Sequence, residues 1–259
     1  MEMFEVIILA IIQAVTEFVP VSSSGHLIAA SDGLNIESTL GLDVMLHFGT
    51  LVALVVYFWS DLIELLTKAR SNYKLIRNII LTTIPAAFFG ALFNDMLEDD
   101  ARKIEIVIFM LVSVGLIMIF SDRWVKAGKH KAEKLNSSQA WMIGLGQSLA
   151  LIPGTSRSGI TMLASRKAGL SNKQAARYSF LVGIPIIFGA TVKVIFEPET
   201  QDYIADYPLN TFVGVMVAAT VGLLVLPRLI AYLSTKGLVV FGWYRLALAG
   251  VLFIILQNQ

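Results

Sequence analysis

The chain has 259 residues, of which 56% are hydrophobic and only 15% charged, with a formal net charge of +1. A soluble domain usually carries nearer a quarter charged residues, so this composition excludes an ordinary soluble protein. The near-neutral balance argues against nucleic acid as a partner, and the absence of cysteine removes disulfides and thiolate metal sites.

In chain order, the first apolar run covers about 4–19. At ~1.5 Å per residue it reaches roughly 24 Å, short of a ~30 Å hydrocarbon core. Glu2 and Glu5 stand where a signal peptide would carry basic residues, so this run is expected to be retained. Pro20 breaks it, a serine-rich turn follows and a second short segment leads away, which predicts a re-entrant helical hairpin. Spans are predicted over 43–59, 78–97 and 104–120. A second hairpin begins at 139–152 and breaks at Pro153, and further spans are predicted over 178–196, 210–229 and 238–256. Pro85, Pro185 and Pro227 are expected to kink or end helices. Gly49, Gly90, Gly115, Gly183, Gly189, Gly222 and Gly250 are expected to admit close helix contacts.

A shift of 134 positions lays the second hairpin on the first. Gln13 falls on Gln147, Ser22 on Ser156, Ser24 on Ser158, Gly25 on Gly159 and Gly49 on Gly183. The shared frame predicts an internal repeat, about 1–128 and 135–259, within one membrane domain. Three spans follow each hairpin, and three is odd, so the second half must be inverted. The expected fold is an all-α integral membrane protein with an inverted-topology repeat, each half a re-entrant hairpin plus three transmembrane helices.

Loop charge orients it. Lys68, Arg70, Lys74 and Arg77, then Arg123, Lys126, Lys129, Lys131 and Lys134, then Arg166, Lys167, Lys173 and Arg177, then Arg228 and Lys236, all fall on one face. The positive-inside rule makes that face cytoplasmic. The opposite loops carry Asp32, Glu37 and Asp43, then Asp95, Glu98, Asp99 and Asp100, then Glu197, Glu199, Asp202 and Asp206, diluted by Arg102 and Lys103. Both termini are then outside. The first hairpin enters from outside and the second from the cytoplasm, so their tips can meet near the midplane.

The tips carry the chemistry. Gln13 and Glu17 share a helix face. Ser22, Ser23 and Ser24 offer hydroxyls, Gly25 permits close approach or positive φ, and His26 is a candidate acid or base. A plainer reading has serine capping the next helix and His26 binding a backbone carbonyl. In Thr155, Ser156, Arg157, Ser158 and Gly159, the guanidinium fork suits phosphate oxygens, beside hydroxyls and helix-start N–H groups. Arg157 would also neutralise Glu17, in an ion pair that opens to receive phosphate. His47 is equally a pocket residue or a packing histidine, and Arg245 and Lys193 are read as snorkelling near span ends. Ionisable groups inside a membrane are functional by default.

These two motifs together resemble the undecaprenyl-diphosphate phosphatase family of BacA type, and the resemblance runs the length of the chain through Tyr178-Ser-Phe-Leu and Trp243-Tyr-Arg245. It implies a hydrolase in the plasma membrane. That enzyme removes the terminal phosphate of the C55 polyprenyl diphosphate carrying cell-wall precursors, uses a divalent metal such as Mg²⁺ or Ca²⁺, and confers bacitracin resistance. Carried over by position, Ser23 is the nucleophile, His26 the acid/base residue and Arg157 the phosphate clamp. Glu17 and Gln13 form the motif's acidic, metal-binding pair. Gln13 stands where many relatives have Glu, which leaves Glu17 most of the metal work or the work of a base toward Ser23. Ser22, Ser24, Gly25, Thr155, Ser156, Ser158 and Gly159 are the expected substrate-binding residues. Attack by Ser23 and attack by activated water both remain open, and the outward-entering first hairpin implies an extracytoplasmic active site. The rival is a polyprenyl-phosphate transporter or flippase, for which broken helices meeting at the midplane are equally natural.

Overall fold

The computed structural model describes residues 2–34, 36, 39–93, 103–124, 128 and 130–257. Among them the secondary structure is helical, with one isolated bridge between His130 and Leu170. The α-helices are α1 Met3–Phe18, α2 Ser23–Leu34, α3 Leu40–Tyr57, α4 Trp59–Thr67, α5 Tyr73–Leu92 and α6 Ile104–Trp124, then α7 Ser137–Ser148, α8 Arg157–Lys167, α9 Asn172–Ile195, α10 Pro198–Asp206, α11 Pro208–Lys236 and α12 Val239–Gln257. Short 3₁₀ turns occupy Ala132–Lys134 and Leu149–Leu151.

Six helices are long and apolar enough to cross a membrane: α3, α5, α6, α9, α11 and α12. They coincide with the six expected spans, with ends shifted by several residues. Helix starts follow local chemistry. The Glu5 carboxylate accepts from the Glu2 N–H at 2.7 Å. Thr39 accepts from the Leu42 N–H at 3.3 Å, and Asn136 and Gln139 form a reciprocal capping box. Helices α4 and α10 lie where the charge pattern implied loops. Pro85, Pro185 and Pro227 sit inside α5, α9 and α11, which continue through them rather than ending.

Close helix crossings use some of the expected glycines and not others. A Cβ on Gly49 would stand 2.7 Å from Ala218 Cβ and Val215 O, so α3 and α11 meet backbone to backbone. One on Gly242 would stand 2.7 Å from the Gly115 carbonyl across the α6–α12 crossing. Gly189 and Gly250 have nothing within 4 Å of such a Cβ, which corrects the expectation for those two.

Each hairpin packs on helices distant in sequence. Helix α1 lies on α11 and α2 on α12, while α7 lies on α5; α8 lies chiefly on α9, with a lesser contact to α6. The two turns share a rare backbone. Ser22 (φ 76°) and Ser156 (φ 69°), 134 positions apart, are the two non-glycine residues with positive φ among the described residues. Such conformations cost about 1–3 kcal/mol and persist only where the surroundings enforce them. In each turn the serine hydroxyl meets the one two residues on, Ser22 with Ser24 at 3.0 Å and Ser156 with Ser158 at 3.3 Å.

The basic helix ends gather on one face. Arg177 pairs with Asp61 of α4 at 2.7 Å, and Arg166, buried, pairs with Asp122 of α6, so these two cations tie helices together instead of standing in loops. On the opposite face α10 packs against the start of α3, where Gly41 adjoins Tyr203. Glu37, Asp95, Glu98, Asp99, Asp100, Arg102, Lys126 and Lys129 lie outside the described residues. Arg245 overturns the snorkelling expectation: it is fully buried and donates to backbone carbonyls. Lys193 is exposed, as expected of a span end.

Candidate active site

Glu17 occupies the last turn of α1, one turn before Pro20 stops the helix, and its side chain is 8% exposed. Charge at this depth needs partners, and four groups supply them. Arg157 Nη2 donates to Oε1 at 2.8 Å. Ser23 Oγ donates to Oε2 at 3.1 Å and Gln13 Nε2 to the same oxygen at 3.3 Å. His47 Nε2 stands 3.6 Å from Oε2, with its Nδ1–H donating to the Asp43 carbonyl at 2.8 Å.

Arg157 opens α8 and reaches Glu17 across 140 residues of sequence. Its other terminal nitrogen donates to the Ser179 carbonyl of α9 at 3.2 Å. The guanidinium lies close against Gly183 of α9, where a Cβ would stand 1.9 Å from Nη1. Ser24 Oγ accepts from the Gly154 N–H at 3.2 Å, so the two tips also touch directly.

Several of these groups line a cavity of about 940 Å³ and form a polar end to it. Glu17, Ser22, Ser23, Ser24, Ser156 and Arg157 line it, together with His47 and Gln147. The walls beyond are apolar, with Leu27, Ile28, Ile36, Leu40 and Val44 on one side and Ile186, Ile187, Ala190 and Val194 on the other. Asp32 and Asp43 also line it. A charged head and a long hydrocarbon tail are the ligand shape such a space accommodates.

Six of the expected site residues are not among those lining the cavity: Gln13, Gly25, His26, Thr155, Ser158 and Gly159. Gln13 is fully buried and steadies Glu17 from within the protein. Gly25 has no positive φ, and a Cβ there would meet only ordinary contacts at 3.5 Å and beyond; the left-handed position is Ser22. Thr155 and Ser158 are buried beneath the second tip, and Ser158 O accepts from Ser179 Oγ at 3.1 Å. The Gly159 N–H caps onto Ser156 Oγ at 3.3 Å. His26 keeps both ring nitrogens engaged elsewhere: Nδ1–H donates to the Ser22 carbonyl at 2.7 Å, and Nε2 meets the Tyr244 hydroxyl at 2.8 Å. The plainer reading of His26, a ring bound to a backbone carbonyl, describes this arrangement.

Sequence reasoning left His47 undecided and did not single out Ser179. Gly183 carried a signal, its alignment with Gly49, but that gave no hint of a guanidinium seat. Among the described residues no group of three or more His, Asp or Glu forms a ready metal cage. Glu17 alone offers a carboxylate at the polar end, which fits a hard cation held largely by phosphate oxygens of a ligand, as Mg²⁺ commonly is. Gln13, away from the cavity, does not fit the ligand role; its Oε1 is buried without a partner.

The family model for the bacitracin resistance protein BacA matches residues 6–251. The undecaprenyl-diphosphatase of Thermodesulfovibrio yellowstonii is 37% identical over 98% of this chain and 97% of its own. That of Caldicellulosiruptor bescii is 38% identical over 97% of each, and that of Rubrobacter xylanophilus 36% over 99% of each.

Proposed function

The chain belongs to the family of the bacitracin resistance protein BacA, and from that premise we propose how its cavity does the work of an undecaprenyl-diphosphate phosphatase. It hydrolyses undecaprenyl diphosphate to undecaprenyl phosphate and inorganic phosphate, which recycles the cell-wall lipid carrier; bacitracin resistance is associated with the family. The observation that carries the mechanism is the Glu17–Arg157 contact at 2.8 Å, made between two hairpins where both line one cavity with long apolar walls.

The diphosphate enters with its isoprenoid tail along the Leu27–Ile28 and Ile186–Ile187 walls. Arg157 exchanges Glu17 for phosphate oxygens, which a planar fork grips in pairs. The released carboxylate is the acceptor for the Ser23 hydroxyl proton, the hydrogen bond for which already exists at 3.1 Å. Ser23 Oγ then bonds to the terminal phosphorus as the bridging P–O bond breaks, and the lipid monophosphate leaves. Water subsequently cleaves the phosphoserine. Glu17, with phosphate oxygens of the substrate, would hold a Mg²⁺ or Ca²⁺ ion, which would neutralise charge on the diphosphate.

Phosphate release from polyprenyl diphosphate by purified protein tests this. Ser23→Ala is expected to lower turnover about a hundredfold, the lower range for one reacting group, because water activated by Glu17 keeps a route open. Undiminished release would remove Ser23 from the reaction. Chelating divalent ions should abolish release and Mg²⁺ should restore it; activity indifferent to chelator would reject the metal.

In this reading the chain is one membrane domain whose halves, about 1–128 and 135–259, are inverted copies. The matched positive φ at Ser22 and Ser156 and the packing of each hairpin's first helix on the other half, α1 on α11 and α7 on α5, support that arrangement. The site faces the extracytoplasmic side of the plasma membrane. Support comes from the cavity wall, which includes Asp32, Ile36 and Asp43 near α10, the end opposite the paired basic helix ends. A cysteine placed at Ser31, which lines the cavity, should react in intact cells with a membrane-impermeant maleimide. Reaction only in inverted vesicles would reverse the orientation.

A further inference from the structure

Two adjacent residues of α12, Tyr244 and Arg245, each hold one hairpin tip. The Tyr244 hydroxyl meets His26 Nε2 at 2.8 Å, and the two rings lie parallel within 5°. Because His26 Nδ1 must donate to the Ser22 carbonyl, its ring links α12 to the left-handed residue of the first turn. Arg245 is fully buried and has no carboxylate partner among the described residues. Its Nη2 donates to the Gly154 carbonyl at 2.6 Å and to the Met110 carbonyl at 3.1 Å, and its Nε donates to the Leu111 carbonyl at 3.4 Å. Gly154 stands three residues before Arg157 and presses on α6, where a Cβ would stand 2.6 Å from the Val107 carbonyl. Burying a cation on carbonyls alone is costly, and neither Arg245 nor Tyr244 lines the cavity. Consecutive helix positions project about a quarter-turn apart, which lets a single rigid turn serve two neighbours.

We infer that Tyr244 and Arg245 are positioning residues, a clasp on α12 that fixes the separation between Ser23 and Glu17 on one tip and Arg157 on the other. His26 acts within the same clasp, through the Ser22 carbonyl. The inference rests on the phosphatase reading above. Its distinguishing consequence is a change in fit to the transition state while the lipid-tail contacts stay intact.

Full-length Tyr244→Phe and Arg245→Lys, purified in detergent beside wild type, would be assayed for kcat, KM and inhibition by orthovanadate, a five-coordinate mimic of phosphoryl transfer. Arg245→Lys should lower kcat about thirtyfold and Tyr244→Phe about fivefold, with KM held within about threefold, since displacements near 1 Å cost up to ~10² in rate. The vanadate Ki should rise by a similar factor. Mere loss of folded protein would lower apparent kcat and leave Ki at its wild-type value, and that result overturns the clasp, as does wild-type kcat in both variants. If Arg245→Lys does not fold, Tyr244→Phe alone decides, because it keeps the ring and removes one hydroxyl. Absence of phosphate release from wild type would instead sink the phosphatase reading itself.

Discussion

Arg157→Lys should lower kcat by about a thousandfold, or ~4 kcal/mol at 1.36 kcal/mol per decade, although the charge is kept. The guanidinium does three things that an ammonium cannot combine. It donates to Glu17 and to the Ser179 carbonyl from separate nitrogens, it sits close against the bare α9 backbone at Gly183, and in the proposed mechanism it presents paired donors to a phosphoryl group. A lysine head is a compact, more strongly hydrated point charge, without the planar fork. Arginines that stabilise phosphoryl transfer are worth ~10³–10⁵ in rate, and the lower end applies because some charge survives. The measurement is phosphate release under saturating lipid. Turnover within tenfold of wild type would mean that the guanidinium does not touch the transferring group and serves only to neutralise Glu17.

The parts of this site legible in sequence were those with a local signature. A proline followed by serines and glycine ends a helix wherever it occurs, so both hairpins, and with them Glu17 and Arg157, could be placed from the chain alone. The six spans were equally visible, because hydropathy over about 20 residues is set by the bilayer and not by neighbours. What eluded sequence reading depends on partners far away in the chain. Arg245 looks like a snorkelling cation near a span end until Gly154, 91 residues away, supplies the carbonyl that holds it. His26 has the composition of a catalytic base, and only Tyr244 and the Ser22 carbonyl reveal that its ring nitrogens are already committed. His47 could not be told from a packing histidine until α3 was laid beside α1. Gly25 reads as permitting close approach or positive φ, because glycine tolerates both, yet Ser22 bears the positive φ, and its carbonyl is tied down by the His26 ring.

Gly183→Ala adds a single methyl group and should be as damaging as losing the Arg157 fork, about a thousandfold in kcat. A Cβ at that position would stand 1.9 Å from Nη1, 2.6 Å from Cζ and 3.1 Å from Nη2 of Arg157. Such distances are far inside van der Waals contact, so either α9 or the guanidinium must move. Helix α9 is wedged against α3, α8 and α11, while Arg157 ends a flexible side chain; the guanidinium yields. Its departure also strands Glu17, a carboxylate 8% exposed, and breaking a buried pair typically costs ~3–5 kcal/mol. Alanine recovers only about 1 kcal/mol of that through its better helix propensity. If the methyl acts through Arg157 alone, the two sites must be non-additive: Arg157→Met with Gly183→Ala should be no slower than Arg157→Met by itself. Multiplicative losses in that double variant would show that Gly183 matters for helix packing instead, and near-normal turnover in Gly183→Ala would place the guanidinium elsewhere.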